Sequence, residues 1–410
     1  MFLNKYYNKI NFFFLILICF FIPLHKKIIP YIILFYGLNW LLLQSYREKF
    51  TWVKHNIYAL LMLIALFFIY SISLSYSNNI EAGLFDIEVK LSLLLFPLML
   101  LTSELPSGKN LDKILFTFLC ACFLSCVVCF IHAIQLFIET NDYRAFIYTN
   151  FSYIFHPTYF ALFLNMAIII SFKFFIDEER WNYKSWVFVF MILFYGFCIF
   201  LSNSKAVIIT LLITIFLSGL YIGYLRKKLL LSFLISFLII ISTGIIVLRS
   251  PELSHRIMAS LGIIDDIVHH DTVSDYESTS QRIEAWQSSL TVIKNNFLFG
   301  VGAGDVKEAL IEEYSLNNYE YLVEKKLNSH NQFLQTFIAT GIFGFSALML
   351  MFIVPFVFSI RKKNYLYLMF IIIMFINFLT ESMLETQAGV VFYGFFNSVF
   401  FAFLSAEKGK

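Results

Sequence analysis

Charge is scarce in this sequence, because only 14% of the residues are charged while 60% are hydrophobic and the mean hydropathy is +0.77. Soluble domains average about 25% charged and about 45–50% apolar residues. The composition therefore excludes an ordinary water-soluble core. The formal net charge of +3 is also too small to indicate a nucleic-acid partner.

Cysteine is absent from the long polar stretch of the chain, since all six cysteines lie inside apolar runs. Exposed loops in an oxidising compartment are where disulfides form, so we predict none. Cys126 and Cys129 form a C-x-x-C pair in an apolar run, where packing is a simpler interpretation than a metal or redox site. No small-x-small cleavage site follows the first apolar run, residues 11–24, and we interpret it as a membrane segment.

Long apolar runs fill most of the chain. A helix of about 20 apolar residues crosses the hydrocarbon core, and a helical bundle satisfies every backbone group in lipid. The sequence therefore predicts an all-α integral membrane protein of about 12 transmembrane helices. The predicted spans are residues 10–24, 28–45, 56–75, 84–102, 114–138, 156–176, 186–203, 205–224, 229–248, 330–360, 364–381 and 387–405.

Basic residues follow the predicted topology. Most lysines and arginines fall in the short segments on one side, which the positive-inside rule identifies as cytoplasmic. We expect a multi-pass protein with both termini in the cytoplasm. The expected organisation is spans one to nine in residues 1–248, a large loop on the opposite side in residues 249–329, and three spans with a short tail in residues 330–410.

The predicted loop contains an amphipathic pattern. Apolar residues recur at steps of three and four from Ser280 onwards, which is typical of a helix lying on a membrane surface. A glycine-rich turn separates this helix from a second short one. No internal repeat is visible, which disfavours the common transporter architectures. The pattern consists of Ile283, Trp286, Leu290, Ile293 and Phe297.

His330 is the leading catalytic candidate. Ser329 and Gln332 are spaced as a capping box, so we expect the tenth span to begin at His330. With about 100° per residue, Gly341 and Gly344 would share its helix face and pack against a neighbouring helix. A helix N-terminus favours a neutral imidazole that can accept a proton. The simpler interpretation is an interfacial histidine beside a glycine packing stripe.

Two basic residues are candidates for holding an anion. Lys205 is expected in the first turn of span eight, where an ammonium and free amides together suit a phosphate. A lysine that only extends to the interface explains its position equally well. Arg282 begins the surface helix and has the paired donors that match a phosphate, although a solvated arginine is the more common case.

Further polar residues lie on the same predicted side. Acidic groups near lipid depth are costly, so they are expected to line a polar cavity. Asp86 and Glu88 are interpreted as a structural pair, since no histidine or further acid lies near them in sequence. The remaining candidates for substrate binding or site support are Asn331, His156, Tyr159, Glu381, Glu385 and Gln387.

These residues resemble the bacterial O-antigen ligase and O-antigen polymerase superfamily over most of the chain. The ligase pattern of His, a polar residue, nine residues, Gly, two residues and a further small or polar residue is filled by His330, Asn331, Gly341 and Gly344. Residues 282–302 are similar to the family's Arg and Trp helix with its glycine turn, although Phe297 replaces the usual proline. Lys205 stands where the family commonly has arginine.

The resemblance implies a GT-C-like glycosyltransferase of the bacterial inner membrane that needs no cofactor or metal and acts on the periplasmic face. Its expected partners are membrane lipid, an undecaprenyl-diphosphate-linked glycan donor, and an acceptor hydroxyl on a lipid A-core sugar or another glycan. His330 would be the base, and Lys205 and Arg282 would hold the diphosphate. The alternatives are a polymerase or protein-glycosylating member of the superfamily, or a flippase that moves lipid-linked glycans without chemistry.

Overall fold

A computed structural model describes residues 2–103, 108–178, 182–202, 204–225, 227–230, 233–234, 237–238 and 277–406. These residues form helices and connections, and no β-strand occurs among them. The all-α prediction is therefore confirmed for the described part of the chain. Most of the ninth predicted span and residues 249–276 of the predicted loop lie outside the described residues.

Sixteen α-helices are numbered here in chain order within the described residues. Short 3₁₀ turns lie at Leu74–Tyr76, Tyr143–Phe146 and Met383–Glu385. The helices are α1 (Phe2–Phe21), α2 (Ile29–Leu43), α3 (Tyr46–Ser73), α4 (Ile80–Lys90), α5 (Ser92–Leu101), α6 (Gly108–Thr140), α7 (Tyr148–Phe151), α8 (Pro157–Asp177), α9 (Tyr183–Ser202), α10 (Lys205–Leu225), α11 (Glu277–Asn295), α12 (Val306–Leu316), α13 (Glu320–Lys325), α14 (Gln332–Arg361), α15 (Tyr365–Thr380) and α16 (Gln387–Ala406).

The helices reproduce most of the predicted spans, with one clear difference at the fourth. Residues 84–102 are divided between α4 and α5, which meet at Leu91. A buried polar cluster lies at the end of α4, where Lys90 is fully buried and pairs with carboxylates. A continuous apolar span was the wrong interpretation of this segment.

The number of membrane crossings is confirmed only in part. Six helices among the described residues are long and apolar enough to cross a membrane, while four further apolar helices are shorter. The six are segments of α3, α6, α8, α9, α14 and α16. The sidedness of the chain and the periplasmic position of the loop stay predictions.

The core is built around α16, whose residues Gly389 to Leu404 are all buried. Its phenylalanines contact rings on neighbouring helices, as Phe396 does edge-on with Phe118 at a centroid separation of 5.0 Å. In lipid, helices associate through such van der Waals packing and not through exclusion of water. Helices α5 and α15 pack against α16, and α14 contacts it through Phe352 against Tyr393 and Phe358 against Phe401.

Helix α14 is broken at Gly341, where φ is +64° and ψ is −158°. The break frees backbone groups that an intact helix would pair internally. The turn after α11 satisfies them, because Val301 N–H and Gly302 N–H donate to the carbonyls of Ile338 and Ala339, at 2.8 and 3.0 Å. Ile342 N–H donates to the Phe297 carbonyl at 3.0 Å.

The predicted glycine stripe on α14 is therefore wrong. Gly341 makes its close approach to the backbone at Leu298 in the turn after α11, not to a neighbouring helix. Gly344 lies beside the side chains of Thr340 and Thr336 of its own helix. Since His330 precedes the helix and Gly341 interrupts it, the three residues do not share one helical face.

Candidate functional site

Two connections lie side by side at the start of α14 and form the frame of the site. The first is residues 328–332, which end at the first residue of α14, and the second is residues 379–385, from the end of α15 to the 3₁₀ turn before α16. The Asn331 amide donates to the Leu379 carbonyl at 3.1 Å, and Leu384 N–H donates to the Gln332 side chain at 2.6 Å. Ser329 and Ser382 hydroxyls lie 3.4 Å apart. The frame places His330 opposite Glu381.

His330 lies outside α14, contrary to the predicted helix start. Asn331 is the N-cap, because its side-chain oxygen accepts from Phe333 N–H and Leu334 N–H. The expected capping box does not form, since the Ser329 hydroxyl donates to Gln335 and to the Asn331 carbonyl. His330 itself has a φ of +44°. Such a left-handed conformation is uncommon for a residue with a side chain and is held here by the Asn328 side chain, which accepts from His330 N–H at 2.9 Å.

Glu381 is the acidic centre of the site. The His330 Nδ1 atom lies 3.3 Å from Glu381 Oε1, and Arg282 Nη2 lies 4.0 Å from Glu381 Oε2. Burial alone would raise the pKa of the Glu381 carboxyl. The hydrogen bond and charge of His330, with the charges of Arg282 and His156, outweigh burial and lower that pKa below its ordinary value. Glu381 is therefore held as a carboxylate.

His156 completes the group from the start of α8. Burial lowers the pKa of the His156 imidazole, and the charges of His330 and Arg282 lower it further against the opposing effect of Glu381. Tyr159 lies one turn along α8, with its ring centroid 6.5 Å from that of His156 and its hydroxyl bonded to the Thr386 side chain. The structure thus brings four sequence-predicted residues together: His330, Glu381, Arg282 and His156.

The other predicted residues have different positions. Lys205 is the first residue of α10, as expected, but its side chain lies outside the described residues. Gln387 is the first residue of α16 and has no hydrogen bond to His330 or Glu381 in the described part of the chain. Asn331 serves as a helix cap and ties the two connections together, so its role in the structure is support.

Glu385 belongs to a second cluster that the sequence analysis missed. Lys90 Nζ lies 3.1 Å from Glu385 Oε1, and Lys90 also pairs with Asp86 one turn earlier on α4. The spacing of Asp86 and Lys90 is a helical ion-pair signal that could have identified the pair. The interpretation of Asp86 and Glu88 as partners was wrong, because Asp86 pairs with Lys90. Only the tertiary structure reveals that Glu385 joins them.

A polar cleft of about 850 Å³ lies elsewhere, between the turn before α4 and helix α12. Its lining includes Tyr76, Asn79, Glu81, Asp305 and Glu308, and none of the predicted site residues. We assign the candidate site to His330 and Glu381 and not to this cleft. Catalysis requires titratable groups that lie close together, and a large cavity alone does not provide them. Among the described residues, no three histidine, cysteine or acidic side chains are grouped as a metal site.

The arrangement of His330 and Glu381 suits proton transfer. A carboxylate at Nδ1 fixes the imidazole tautomer that leaves Nε2 free to accept a proton, and it stabilises the imidazolium that results. Arg282 adds a fixed positive charge, because its Nη2 atom lies 4.0 Å from Glu381 Oε2. These groups can accept a proton from a hydroxyl and hold an anion beside it, which are the two requirements of glycosyl transfer from a diphosphate.

Two comparisons with known proteins found similar sequences. The family model of O-antigen ligase matches residues 187–349, a stretch that contains Lys205, Arg282 and His330. An uncharacterized protein of Haemophilus influenzae is 24% identical over 240 residues, covering 55% of this chain and 58% of the relative. The match therefore spans somewhat more than half the length of that relative. His156 and Glu381 lie outside the stretch that the family model matches. Residues 187–349 of this chain are thus similar to the O-antigen ligase family.

Proposed function

We propose that this chain is an O-antigen ligase-like glycosyltransferase that moves a glycan from undecaprenyl diphosphate to an acceptor hydroxyl on a lipid A-core sugar. The observation that carries the proposal is the contact of His330 Nδ1 with the Glu381 carboxylate, beside Arg282. The O-antigen ligase match over residues 187–349 supports the enzyme class. The site would face the periplasm of an inner-membrane protein with both termini in the cytoplasm.

The reaction is a direct displacement in which His330 is the general base. His330 Nε2 accepts the proton of the acceptor hydroxyl while the oxygen attacks the anomeric carbon. The bond from that carbon to the diphosphate oxygen breaks, and undecaprenyl diphosphate leaves with the electron pair. Attack from the opposite side inverts the anomeric carbon. Glu381 stabilises the imidazolium that forms, and a positioned base of this kind is worth typically about 10²–10⁴-fold in rate.

The diphosphate is held by basic residues. Arg282 has five N–H donors in a planar fork. Only its Nη2 atom lies near Glu381, at 4.0 Å, so the other donors can bind the diphosphate. Lys205, the first residue of α10, would supply a second positive charge, since it stands where the family commonly has arginine. Together they neutralise the charge that grows on the leaving group. No metal or cofactor enters the proposed reaction.

The principal alternatives share the same site. A polymerase of the superfamily would use another lipid-linked repeat as acceptor, and a flippase would hold the diphosphate without chemistry. The O-antigen ligase match favours an enzyme over a flippase, and the His330 and Glu381 pair supplies the proton acceptor that transfer requires. Release of undecaprenyl diphosphate from lipid-linked donor and acceptor in detergent distinguishes the two.

Replacing His330 tests the base role. His330→Ala should lower single-turnover transfer by at least about 100-fold, while donor affinity changes little. Raising the pH should restore part of the rate, because the acceptor hydroxyl then needs less assistance. Both quantities are measured on the same purified protein, with lipid-linked glycan from the native host as donor.

Two further variants define the control. If His330 only hydrogen-bonds the diphosphate, His330→Gln and His330→Asn should keep much of the activity, and His330→Ala should impair donor binding. Near-normal transfer by His330→Ala would exclude both roles. The glycolipids of a deletion strain then separate ligase from polymerase, since loss of all polymer from lipid A indicates a ligase and single repeats on lipid A indicate a polymerase.

A further inference from the structure

The cluster around Lys90 is the most deeply buried ionic group in the described part of the chain. The Lys90 side chain is fully buried, and its partners Asp86 and Glu385 keep only 16% and 19% of their side-chain surface. Lys90 Nζ also lies over the Tyr70 ring, 4.5 Å from its centroid. Burying an ammonium costs several kcal/mol unless its partners are well placed, so this geometry is strongly constrained.

The cluster is joined to the catalytic frame by hydrogen bonds. Gln332 Nε2 donates to Glu385 Oε1 at 3.3 Å and to Thr336 Oγ1 at 3.1 Å, while its oxygen accepts from Leu384 N–H. Gln332 is two residues after His330, and Glu385 is four residues after Glu381. Lys90 therefore anchors the connection that carries Glu381 next to the connection that carries His330.

We propose that Lys90 is a positioning residue that acts through Glu385 to hold the Glu381 carboxylate against His330. The chain of contacts is Lys90 to Glu385, Glu385 to Gln332, and the short 3₁₀ turn from Glu385 back to Glu381. This inference rests on the proposed function, because the Glu381 contact matters for a histidine that accepts a proton. Lys90 itself touches neither His330 nor a reacting group.

Three charged or titratable groups near His330 affect the pH at which it is protonated. They are Glu381 after α15, Arg282 on α11 and His156 before α8. Loss of the Glu381 contact makes the imidazolium form less stable, which moves protonation to lower pH. Loss of the Lys90 positive charge acting directly through space has the opposite sign and moves protonation to higher pH. The direction of the change therefore separates positioning from simple electrostatics.

The experiment measures His330 without using activity. Full-length protein in detergent is treated with diethyl pyrocarbonate, which modifies neutral imidazole, and the His330 peptide is quantified by mass spectrometry over a pH series. In Lys90→Met, the midpoint of His330 modification should move to lower pH, because the imidazolium loses its carboxylate partner. Exposed His25 serves as the internal reference and should keep its midpoint.

The matched control is Lys173→Met. Lys173 pairs with Asp177 one turn away and with Asp112 across the fold, so it also lies between two carboxylates. It lies about 24 Å along α8 from the His156 end, at about 1.5 Å per residue. This variant should leave the His330 midpoint unchanged. An unchanged or raised midpoint in Lys90→Met would overturn the proposal.

A second pair of variants covers the case in which Lys90→Met does not fold. Glu385→Gln and Glu385→Ala remove the same charge, but only the alanine also removes the side-chain link to Lys90 and Gln332. The proposal expects a lower midpoint in Glu385→Ala than in Glu385→Gln, and equal midpoints would refute it. Since none of these measurements uses transfer activity, full activity of His330→Ala would overturn the proposed function separately.

Discussion

Two lysines in this chain have the same kinds of partners but different surroundings. Lys90 and Lys173 each pair with an aspartate one helical turn away and with an acid from a distant segment. The Lys90 side chain is fully buried, whereas that of Lys173 is 21% exposed and its partners Asp112 and Asp177 are about half exposed. Burial, not pairing, distinguishes the cluster that supports the site from one at the far end of α8.

The largest expected effect compares the stability of variants at these two lysines. Lys90→Met should lower the free energy of unfolding by about 3–5 kcal/mol, because it leaves buried carboxylates without a cation. Lys173→Met should cost at most about 1 kcal/mol, since water screens its exposed partners. Thermal unfolding of both variants in the same detergent measures the difference. Equal losses would show that the two clusters are equivalent in spite of their burial.

The next largest expected effect compares the stability of alanine variants at two glycines, Gly341 and Gly196. Gly341→Ala should destabilise the protein by about 1–3 kcal/mol, because a φ of +64° with a ψ of −158° is a conformation that essentially only glycine adopts. The added Cβ would also clash with the Leu298 carbonyl oxygen. Gly196, inside α9, has no atom within 4 Å of such a Cβ.

The control at Gly196 is expected to have the opposite sign. Gly196→Ala should be neutral or stabilise by up to about 1 kcal/mol, as expected for alanine within a helix. Unfolding temperatures of the two variants give the measurement. A harmless Gly341→Ala would mean that the turn after α11 does not depend on the break in α14.

The smallest expected effect is the pH dependence of the stability that Glu381 contributes. The pKa of Glu381 is lowered in the folded protein, so its contribution to stability is present above the pKa of the unfolded chain. That contribution is lost as the pH falls below the ordinary glutamate value of 4.5 and through the lowered pKa. Wild type should therefore exceed Glu381→Gln in stability at neutral pH, and the difference should shrink in acid. A difference that stays constant with pH would contradict the ionised state of Glu381.

The sequence alone determined the parts that depend on local patterns. Apolar runs of spanning length predicted the helices, because each such run must satisfy its own backbone in lipid. His330 and Arg282 were also identified from sequence, through their spacing beside apolar segments and through the resemblance to O-antigen ligases. The capping box at Ser329 and the glycine face on α14 were wrong, since both assumed that an ideal helix continues through His330 and Gly341.

Tertiary structure alone decided which distant residues meet. Glu381 is 51 positions from His330, and Glu385 is 295 positions from Lys90. No helical period relates residues so far apart, so their contacts depend on how α4, α14 and α15 pack. The break at Gly341 has the same origin, because its free backbone groups find partners only in the turn after α11. Local sequence specified the helices, and packing between them placed the carboxylate against the histidine.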